Sequence, residues 1–560
     1  MLQTVLGQPA VFRLTSDPEP ADLSLRERRL LVGALNFHAL MAPGRELTVH
    51  AYDGDWTTLP RTTDDSTFDG MSRQFRSRLF TIGMASEVVV EAGSDTEASV
   101  GARAFASGAV RHVHISRDEV LDFDPPREHS TSAIRRALRA VRARTPLLYD
   151  EARDIELLRH RRSITHRAAR RRFRDEFAPG GIHEDGVLLP APPCPDGAPR
   201  AALIGMHWFE LGGAERWAFE TVKLVKEAGL IPIVLTNRDS HHPWIGRAEL
   251  DGALLIPFSE PTVGSQTPGT EELLRAVLRT FDVRGVVVHH NQWLYDRLHW
   301  LAMSRPGMPI IDSTHIVEYR GGGFPHSSVR VEEVITTHHV ISPTLQRWMV
   351  QSQGVAAEKV VMAPLAGLTV ADAESTFRAK DDAAPFTVAF IGRMARQKAP
   401  EVFLAMVHRL RTEDVPLRFI MHGDGELASW VDDLIAAYGL RDAVERRGSA
   451  VPVDQTLAEA HVLVVTSHNE GLTLTTLEAI SHGLPVVSTD VGAQSDIIPP
   501  RALVNRNVHL AARQAAQKVA WLASDEGARE ALWRDERAAE KKLLSAASAS
   551  EWFTQEVASW

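Results

Sequence analysis

The sequence contains a single cysteine, Cys194, among 560 residues. One thiol excludes a framework of disulfides within the chain and any metal site built from several cysteines. No apolar run approaches the roughly 18 residues that a membrane-spanning helix needs. The first residues also lack the basic start and apolar run of a secretory signal. We therefore expect a cytoplasmic protein, with a possible peripheral position at the inner face of a membrane.

Lysine is also scarce, contributing only 8 of the 62 basic residues, and 72 acidic residues leave a net charge of -10. This balance gives the chain no overall attraction to nucleic acid. Residues 131–176 differ, with 14 arginines and 6 acidic residues. Ile134, Leu138 and Val141 on one face predict helices there. These helices present either a solvated face or a contact for anionic lipid or a polyanion. Few aromatic side chains are available to stack on bases, so we expect no nucleic-acid partner.

Length and composition indicate several globular domains, since the chain is 44% hydrophobic and 24% charged. Four prolines between residues 190 and 195, followed by Pro199, cannot lie inside a helix or a central strand. Beyond them, short apolar runs alternate with helical patterns, which is typical of doubly wound parallel sheets. A break near residues 363–385 divides this alternation. We therefore predict an α/β chain in which two Rossmann-like domains face a central cleft.

The predicted parts, in chain order, are a small α/β domain of unassigned role (1–125), an Arg-rich helical segment (126–188), a Pro-rich linker (189–199), an N-terminal Rossmann-like domain (200–370), a C-terminal Rossmann-like domain (371–525) and C-terminal helices that pack back on the body (526–560). The predicted strands are 47–52, 87–91, 111–115, 201–206, 231–235, 283–288, 309–313, 338–342, 387–391, 417–421, 462–466 and 485–488. Helices are predicted near 25–41 and 96–107.

Two glutamates follow a predicted strand in the last third of the chain. Glu470 comes directly after it, and Glu478 lies eight residues further on. Ligands of open α/β sheets bind at the carboxyl ends of the strands. We expect the N–H groups of Gly471, Leu472 and Thr473 at the start of the next helix, which is a typical anion site. Alternatively, the two acids only stabilise the helix dipole.

Two cations follow the first strand of the C-terminal Rossmann-like domain. Arg393 and Lys398 come after Gly392, which permits a tight turn. Arginine suits a forked contact to phosphate, and lysine acts as a point charge. Gly423 and Gly425 follow the next strand and allow the backbone to approach a ligand closely. The alternatives are ordinary surface cations and a simple turn.

Glycines also follow the first strand of the N-terminal Rossmann-like domain, in the run Leu211-Gly212-Gly213-Ala214-Glu215-Arg216. Taken with Gly392-Arg393 and Lys398, the Gly423-Asp424-Gly425 turn and the two glutamates, this sequence resembles the retaining glycosyltransferases of family 4, which have the GT-B fold. The resemblance extends over about residues 200–560, and its strength lies in the order of the four motifs at strand ends.

The resemblance implies roles for these residues. Arg393 and Lys398 would neutralise the diphosphate of a nucleotide sugar, Glu470 would face the hydroxyls of its sugar, and Glu478 would bind the ribose. Residues 445–448 would line the base, and His315 would lie near the reacting carbon unless it is a structural histidine. The catalytic candidates are Glu470, Arg393, Lys398 and His315. The donor-binding candidates are Gly392, Gly423, Gly425, Gly471, Leu472, Thr473, Glu478, Arg447, Gly212 and Gly213.

The implied activity is transfer of a sugar, with retention, from a nucleotide-diphosphate sugar to a hydroxyl of a glycan, glycolipid or other acceptor. Family members of this kind usually need no metal or other cofactor, and none is expected here. The setting by analogy is surface polysaccharide or glycoconjugate assembly. Two alternatives remain open: a nucleotide-sugar epimerase or phosphorylase of the same fold, and a non-catalytic scaffold that binds nucleotide sugars.

Overall fold

The computed structural model describes residues 2–16, 23–53, 77–88, 110–115, parts of 137–159, 183–184, 187–188 and most of 190–560. Within the last range, the gaps are 211, 239, 241, 259–270, 319–322, 367–374, 382–383 and 413–416. The helix expected at 96–107 and most of the Arg-rich segment therefore lie outside the described residues. No helix among the described residues is both long and apolar enough to cross a bilayer.

The first large sheet has seven parallel strands. In sheet order they are Leu254–Ile256, Ile231–Leu235, Arg200–Gly205, Asp282–Val288, Ile310–Thr314, Thr337–Val340 and Val360–Met362. Chain order reverses between the third and fourth of these strands, which makes the point between them a topological switch. In such sheets, the crevice at the carboxyl ends of the strands is the usual ligand site.

The second large sheet has six parallel strands. In sheet order they are Val444–Arg447, Leu417–His422, Phe386–Ile391, Val462–Val465, Val486–Thr489 and Leu503–Val504. The switch lies between Phe386–Ile391 and Val462–Val465, so the loops that follow these two strands meet at one crevice. The two parallel sheets confirm the prediction of two Rossmann-like halves.

Helices cover both faces of the two sheets, which is why the strands are apolar almost throughout. The α-helices are Leu25–Met41, Gly213–Glu227, Glu271–Thr280, Gln292–Tyr295, Leu298–Ser304, Gly323–Val329, Pro343–Arg347, Pro400–Thr412, Ala428–Ala437, Val453–Glu459, Leu474–Ser481, Val508–Ser524, Glu526–Leu544 and Ala549–Ala558. Shorter helical turns include Trp348–Ser352 and Arg396–Lys398.

The N-terminal part forms a separate four-stranded sheet in the order Phe12–Leu14, Ser77–Ser86, Glu46–Asp53 and Val110–Ile115. The small hairpins Gln3–Val5 with Gln8–Ala10 and His183–Glu184 with Val187–Leu188 are also present. Of the strand predicted at 87–91, residues 89–91 lie outside the described residues, and Glu87 and Val88 come after strand Ser77–Ser86, which was not predicted. Its buried side chains alternate as Phe80, Ile82 and Met84, a weaker signal than the run of valines that follows.

Helix Leu25–Met41 lies between this sheet and the first large sheet. The Arg29 guanidinium donates hydrogen bonds to the carbonyl oxygens of Ile245, at 2.6 Å, and Arg247, at 2.9 Å. A side chain at Gly33 would collide with the ring of Pro257. The helix is buried on nearly all sides. The N-terminal part is therefore docked tightly on the edge of the first large sheet.

The C-terminal helices return from the second half to the first. Trp533 donates a hydrogen bond to the Ile480 carbonyl at 2.8 Å, beside the second sheet. Phe553 then packs edge-on against Trp217 of the first half, with ring centroids 6.1 Å apart. Trp560 fills the space over Gly285. The tail thus connects the two halves at the back of the cleft.

Two segments with unusual composition are held against the body. The linker is anchored by Arg305, whose guanidinium donates to the Pro192 carbonyl at 2.8 Å. In the described part of the Arg-rich segment, the Arg142 guanidinium lies 3.5 Å from the ring centre of Trp430. Glu151 approaches His509 at 3.2 Å. These contacts place this part of the segment on the second half.

A buried carboxyl in the C-terminal helices predicts a pH dependence of stability. Glu536 is fully buried, and one of its oxygens accepts a hydrogen bond from the Val486 N–H at 2.9 Å. Burial raises the pKa of the Glu536 carboxyl well above its usual range. As pH rises, Glu536 therefore ionises at a lower pH in the unfolded chain than in the folded one. Its contribution to folding stability is complete in acid and is lost as the pH rises from the unfolded pKa to the folded pKa.

We expect Glu536→Gln to raise the melting temperature at pH 8 and to raise it less at pH 5. Differential scanning fluorimetry at both pH values measures this. The matched control is Glu530→Gln on the same helix, where the exposed glutamate pairs with Arg534 at 2.6 Å. Equal effects of the two substitutions at both pH values would contradict the prediction.

Candidate functional site

The carboxyl ends of the two large sheets meet across a cleft. The Val317 N–H of the first half donates to the Glu470 carbonyl of the second half at 3.1 Å. The Thr344 hydroxyl donates to the Asp496 carboxylate at 2.8 Å. Gly213 packs on Leu474, where an added Cβ would lie at 3.4 Å. The predicted site residues come from loops on both sides of this cleft.

Lys398 and Glu470 are in direct contact. The Lys398 ammonium lies 2.6 Å from the Glu470 carboxylate, with exposed side-chain fractions of 26% and 6%. The Thr466 hydroxyl donates to the Lys398 carbonyl at 3.0 Å, and the Gln397 amide donates to the Asn469 carbonyl at 3.0 Å. These bonds join the loops that follow the two switch-point strands. They hold a cation and an acid together at the ends of the strands, as the sequence predicts.

Arg393 points across the cleft toward the first half. Its guanidinium lies 3.5 Å from the Glu210 carboxylate and 5.3 Å from the ring centre of Trp208. Glu210 is buried and accepts a hydrogen bond from the Ser240 hydroxyl at 2.6 Å. Burial raises the pKa of Glu210, against the opposing effects of Ser240 and Arg393. A cation of the second half is therefore paired with an acid of the first.

Glu478 also has a partner across the cleft. Arg216, in helix Gly213–Glu227, donates to its carboxylate at 3.0 Å. Helix Leu474–Ser481 begins after Thr473, whose hydroxyl caps it by accepting from the Thr476 N–H at 3.3 Å. The expectation that Gly471, Leu472 and Thr473 supply the first helical N–H groups was therefore wrong. All three precede the helix because Thr473 is a favourable cap.

The two glycines that follow strand Leu417–His422 have a structural role. Gly423 and Gly425 have φ values of +130° and +151°. An added Cβ would lie 2.2 Å from the Gly392 carbonyl oxygen at Gly423 and 2.6 Å from that of Met394 at Gly425. The two glycines thus allow a close approach to the backbone of the Arg393 loop rather than to a ligand, and the turn packs against that loop. Gly392, in contrast, has room for a Cβ and no positive φ.

Gly471 packs closely against the backbone of the first half. An added Cβ there would lie 1.4 Å from the carbonyl oxygen of His315. The Gly471 carbonyl accepts from the Ala493 N–H at 2.7 Å, which fixes the loop. A residue with a side chain at this position would force the two backbones apart. The structure therefore brings Gly471 and His315 together, although the two residues are 156 positions apart.

The structure does not bring the Arg447 side chain together with Lys398 and Glu470. Its guanidinium donates to Glu445 at 2.7 Å, to Glu459 at 2.8 Å and to the Thr456 hydroxyl at 3.0 Å. Those partners engage all three nitrogens of the guanidinium, and the Arg447 carbonyl, which accepts from the Gly423 N–H at 2.8 Å, adjoins the predicted donor site.

Gly212 lies at the start of helix Gly213–Glu227, where its missing side chain leaves room for the Glu215 carboxylate. The Trp208 indole donates to that carboxylate at 3.1 Å. Burial raises the pKa of Glu215. Glu210, Glu215 and Trp208 were not predicted as site residues. Trp208 and Glu210 lie in the loop after the strand at the switch point, and Glu215 lies in the first turn of the helix that follows; these positions were the signal that would have found them.

Five histidines cluster at the carboxyl ends of the first sheet: His207, His289, His290, His315 and His339. Burial lowers the pKa of every one of them, to about 3 for His289 and about 4 for His290 and His339. The rings are therefore neutral at pH 7. Among the described residues, no group of three or more histidine, cysteine or acidic side chains is arranged to hold a metal ion.

Residues 385–525 match the family described as "Glycosyl transferases group 1". The chain is 27% identical over 345 residues to the D-inositol 3-phosphate glycosyltransferase of Streptosporangium roseum, covering 52% of this chain and 78% of that protein. It is 24% identical over 325 residues to a phosphatidylinositol N-acetylglucosaminyltransferase subunit of Arabidopsis thaliana, covering 54% and 70%.

Among solved structures, the HepE protein of Anabaena in complex with UDP and glucose is similar, with a TM-score of 0.48 and 14% identity over 65% of this chain and 98% of that one. The matched residues include the loops that carry Arg393, Lys398 and Glu470 and the helix that carries Glu478. The paired Rossmann-like sheets and the cleft between them supply the rest of the architecture. Residues 385–525 therefore match the group 1 glycosyltransferases, and together with the paired Rossmann-like sheets they support a glycosyltransferase of the GT-B fold.

Proposed function

We propose that this protein transfers a sugar from a nucleotide-diphosphate sugar to a hydroxyl of an acceptor, with retention of configuration and without a metal ion. The observation that carries the proposal is the contact of Lys398 with Glu470 at the cleft, 2.6 Å long, on the loop that also bears Arg393. Cations at this place suit a diphosphate, and a buried carboxylate beside them suits the hydroxyls of a sugar.

The chemistry follows from where charge develops. When the bond between sugar and phosphate breaks, negative charge grows on the departing diphosphate. Cations that are already in place stabilise that charge most strongly in the transition state. Lys398 and Arg393 take this role, while Glu470 orients the sugar and Glu478, held by Arg216, takes the ribose. In the proposed front-face route, the departing phosphate helps to remove the proton of the acceptor hydroxyl.

The acceptor enters from the first half, whose histidine cluster and Glu210 line the opposite wall. The curated relatives are named for inositol phosphate and phosphatidylinositol acceptors. We extend this to a hydroxyl of a glycan or glycolipid in polysaccharide or glycoconjugate assembly at the inner face of a membrane.

The exposed Val141, Leu148 and Ile155 beside exposed arginines of the Arg-rich segment suit an anionic lipid surface. Co-sedimentation with vesicles of phosphatidylglycerol tests this, with vesicles of phosphatidylcholine as control. Equal binding to the two, or binding to neither, would contradict the membrane contact.

The decisive experiment is a thermal-shift panel of UDP-, GDP-, ADP- and TDP-sugars in the presence of EDTA, followed by a transfer assay with the sugar that binds. A ligand at 100 times its Kd stabilises the folded state by about 2.7 kcal/mol. Product with the same anomeric configuration as the donor supports the proposal. Cleavage without transfer, or phosphorolysis, would instead indicate the epimerase or phosphorylase alternative, and binding without turnover would indicate a scaffold.

The pair between Arg393 and Glu210 predicts a competition with the donor. In the proposed complex, the donor diphosphate replaces Glu210 as the partner of Arg393. Glu210→Gln removes this competitor, and we expect it to tighten donor binding by about twofold to fivefold, which corresponds to the free energy of a partly exposed ion pair. Isothermal titration calorimetry measures the effect. The matched control is Glu220→Gln, which removes the partner of Lys223, 3.1 Å away, on the same half. Donor binding that weakens in Glu210→Gln would show that the carboxylate itself helps to hold the donor.

A further inference from the structure

The histidine cluster contains a chain of hydrogen bonds that ends at His315. The Trp217 indole donates to the Ser313 hydroxyl oxygen at 3.0 Å. That oxygen lies 2.7 Å from Nδ1 of His339 and 2.9 Å from Nε2 of His315. Nε2 of His339 lies 2.8 Å from the Ala363 carbonyl oxygen. Ser313 therefore has three neighbours and a single proton to give.

The direction of each bond follows from which atoms can donate. A carbonyl oxygen only accepts, so Nε2 of His339 carries a proton and donates to Ala363. Burial lowers the pKa of His339 to about 4, so its ring is neutral at pH 7 and Nδ1 is a bare acceptor. The Ser313 proton is therefore used on His339.

The same reasoning settles the state of His315. Since the Ser313 proton is already used, the bond between Ser313 and His315 requires Nε2 of His315 to be the donor. Burial lowers the pKa of His315 well below its usual range, so this ring is neutral too. Its Nδ1 must then be bare. Nδ1 is buried and has no hydrogen-bond partner among the described residues, while the residue as a whole is 6% exposed.

We propose that Ser313 and His339 are positioning residues that hold His315 in the Nε2–H tautomer, so that its bare Nδ1 accepts a hydrogen bond from a substrate hydroxyl. This role rests on the proposed function, because the hydroxyl belongs to the transferred sugar or to the acceptor. His315 lies at the cleft, where its carbonyl meets Gly471 beside Glu470. Trp552 of the C-terminal tail stacks on the His339 ring, with centroids 4.9 Å apart, and keeps that ring in register.

The tautomer is tested without any substrate. Nuclear magnetic resonance of protein labelled with ¹⁵N-histidine distinguishes a bare ring nitrogen from a protonated one, and His315→Gln identifies the His315 signals. We expect a protonated Nε2 and a bare Nδ1 in the unmodified chain, and a mixture of both tautomers in Ser313→Ala. The matched control is Ser328→Ala, which removes another buried hydroxyl, bonded to Asp312 at 2.7 Å, and leaves the tautomer unchanged. A protonated Nδ1 in the unmodified chain, or no change in Ser313→Ala, would overturn the inference.

Kinetics then test what the bare Nδ1 binds, with the nucleotide sugar selected by the thermal-shift panel. We expect Ser313→Ala to lower kcat/KM at least about tenfold, since a histidine in the wrong tautomer is a poor catalytic group, with Ser328→Ala nearly unchanged. A larger KM for the nucleotide sugar assigns the hydroxyl to the transferred sugar, and a larger KM for the acceptor assigns it to the acceptor. Unchanged kcat/KM for both overturns the role in binding. Absence of transfer in the unmodified chain, with the tautomer as stated, refutes the proposed function and not the hydrogen-bond chain.

Discussion

Replacing Lys398 with alanine is expected to lower turnover by at least about 100-fold, which corresponds to about 2.7 kcal/mol of transition-state stabilisation. The ammonium group is one of the two cations assigned to the proposed diphosphate, and it is held 2.6 Å from Glu470. Its loss leaves the buried Glu470 carboxylate, 6% exposed, without its counter-charge. In the proposed mechanism, the loss therefore affects both the leaving group and the carboxylate assigned to the sugar.

Steady-state kinetics at saturating donor, with a melting curve for each variant, measure this effect. The matched control is Lys359→Ala, because Lys359 is equally exposed, at 28%, and pairs with Glu332 at 2.9 Å away from the cleft. We expect that variant to keep its activity. Near-normal turnover of Lys398→Ala would refute the assigned role, whereas loss of the folded state in this variant alone would assign the lysine to stability.

A methyl group at Gly471 is expected to lower kcat/KM by at least about 100-fold, equivalent to about 2.7 kcal/mol. The new Cβ would lie 1.4 Å from the His315 carbonyl oxygen, a distance that no pair of non-bonded atoms tolerates. Since both partners are backbone, neither can rotate away, and the two halves must separate. Opening the cleft moves Glu470 and Lys398 away from His315, and active sites lose activity steeply with such displacements.

Kinetics and small-angle X-ray scattering together test the Gly471→Ala variant, and we expect lower activity with a larger radius of gyration. The control is Gly246→Ala, since an added Cβ there meets its nearest atom at 3.9 Å. That variant is expected to match the unmodified chain in both measurements. A fully active Gly471→Ala would show that the contact with His315 is not needed in the catalytic form.

The large elements of the fold were predictable because their signals are local. Buried parallel strands appear as short apolar runs, and helix Leu25–Met41 was predicted with its bounds. The strands Leu254–Ile256, Val360–Met362, Val444–Arg447 and Leu503–Val504 were missed. All four are short strands at or next to the edges of their sheets, where pairing with a neighbour, rather than a long apolar run, defines the strand.

The placement of these residues on loops at strand ends was predictable in the same way, but their partners across the cleft were not. Arg393, Lys398 and Glu470 follow strands of one sheet, and their closeness to each other follows from parallel topology. The ion pair of Arg216 with Glu478 joins residues 262 positions apart in the sequence. The ion pair of Arg393 with Glu210 joins residues 183 positions apart. No periodicity or motif encodes such a pairing, because it depends on how the two halves face each other.

The sequence by itself determined two Rossmann-like units and which loops carry cations, acids and glycines, because alternating apolar and turn residues act over a few neighbours. Only the tertiary structure decided how these loops combine. It set the Gly471 backbone against His315, gave the cations acidic partners, and committed the Ser313 proton to His339. Those outcomes depend on packing between distant segments, where a buried polar group takes whichever partner the fold places within hydrogen-bond distance.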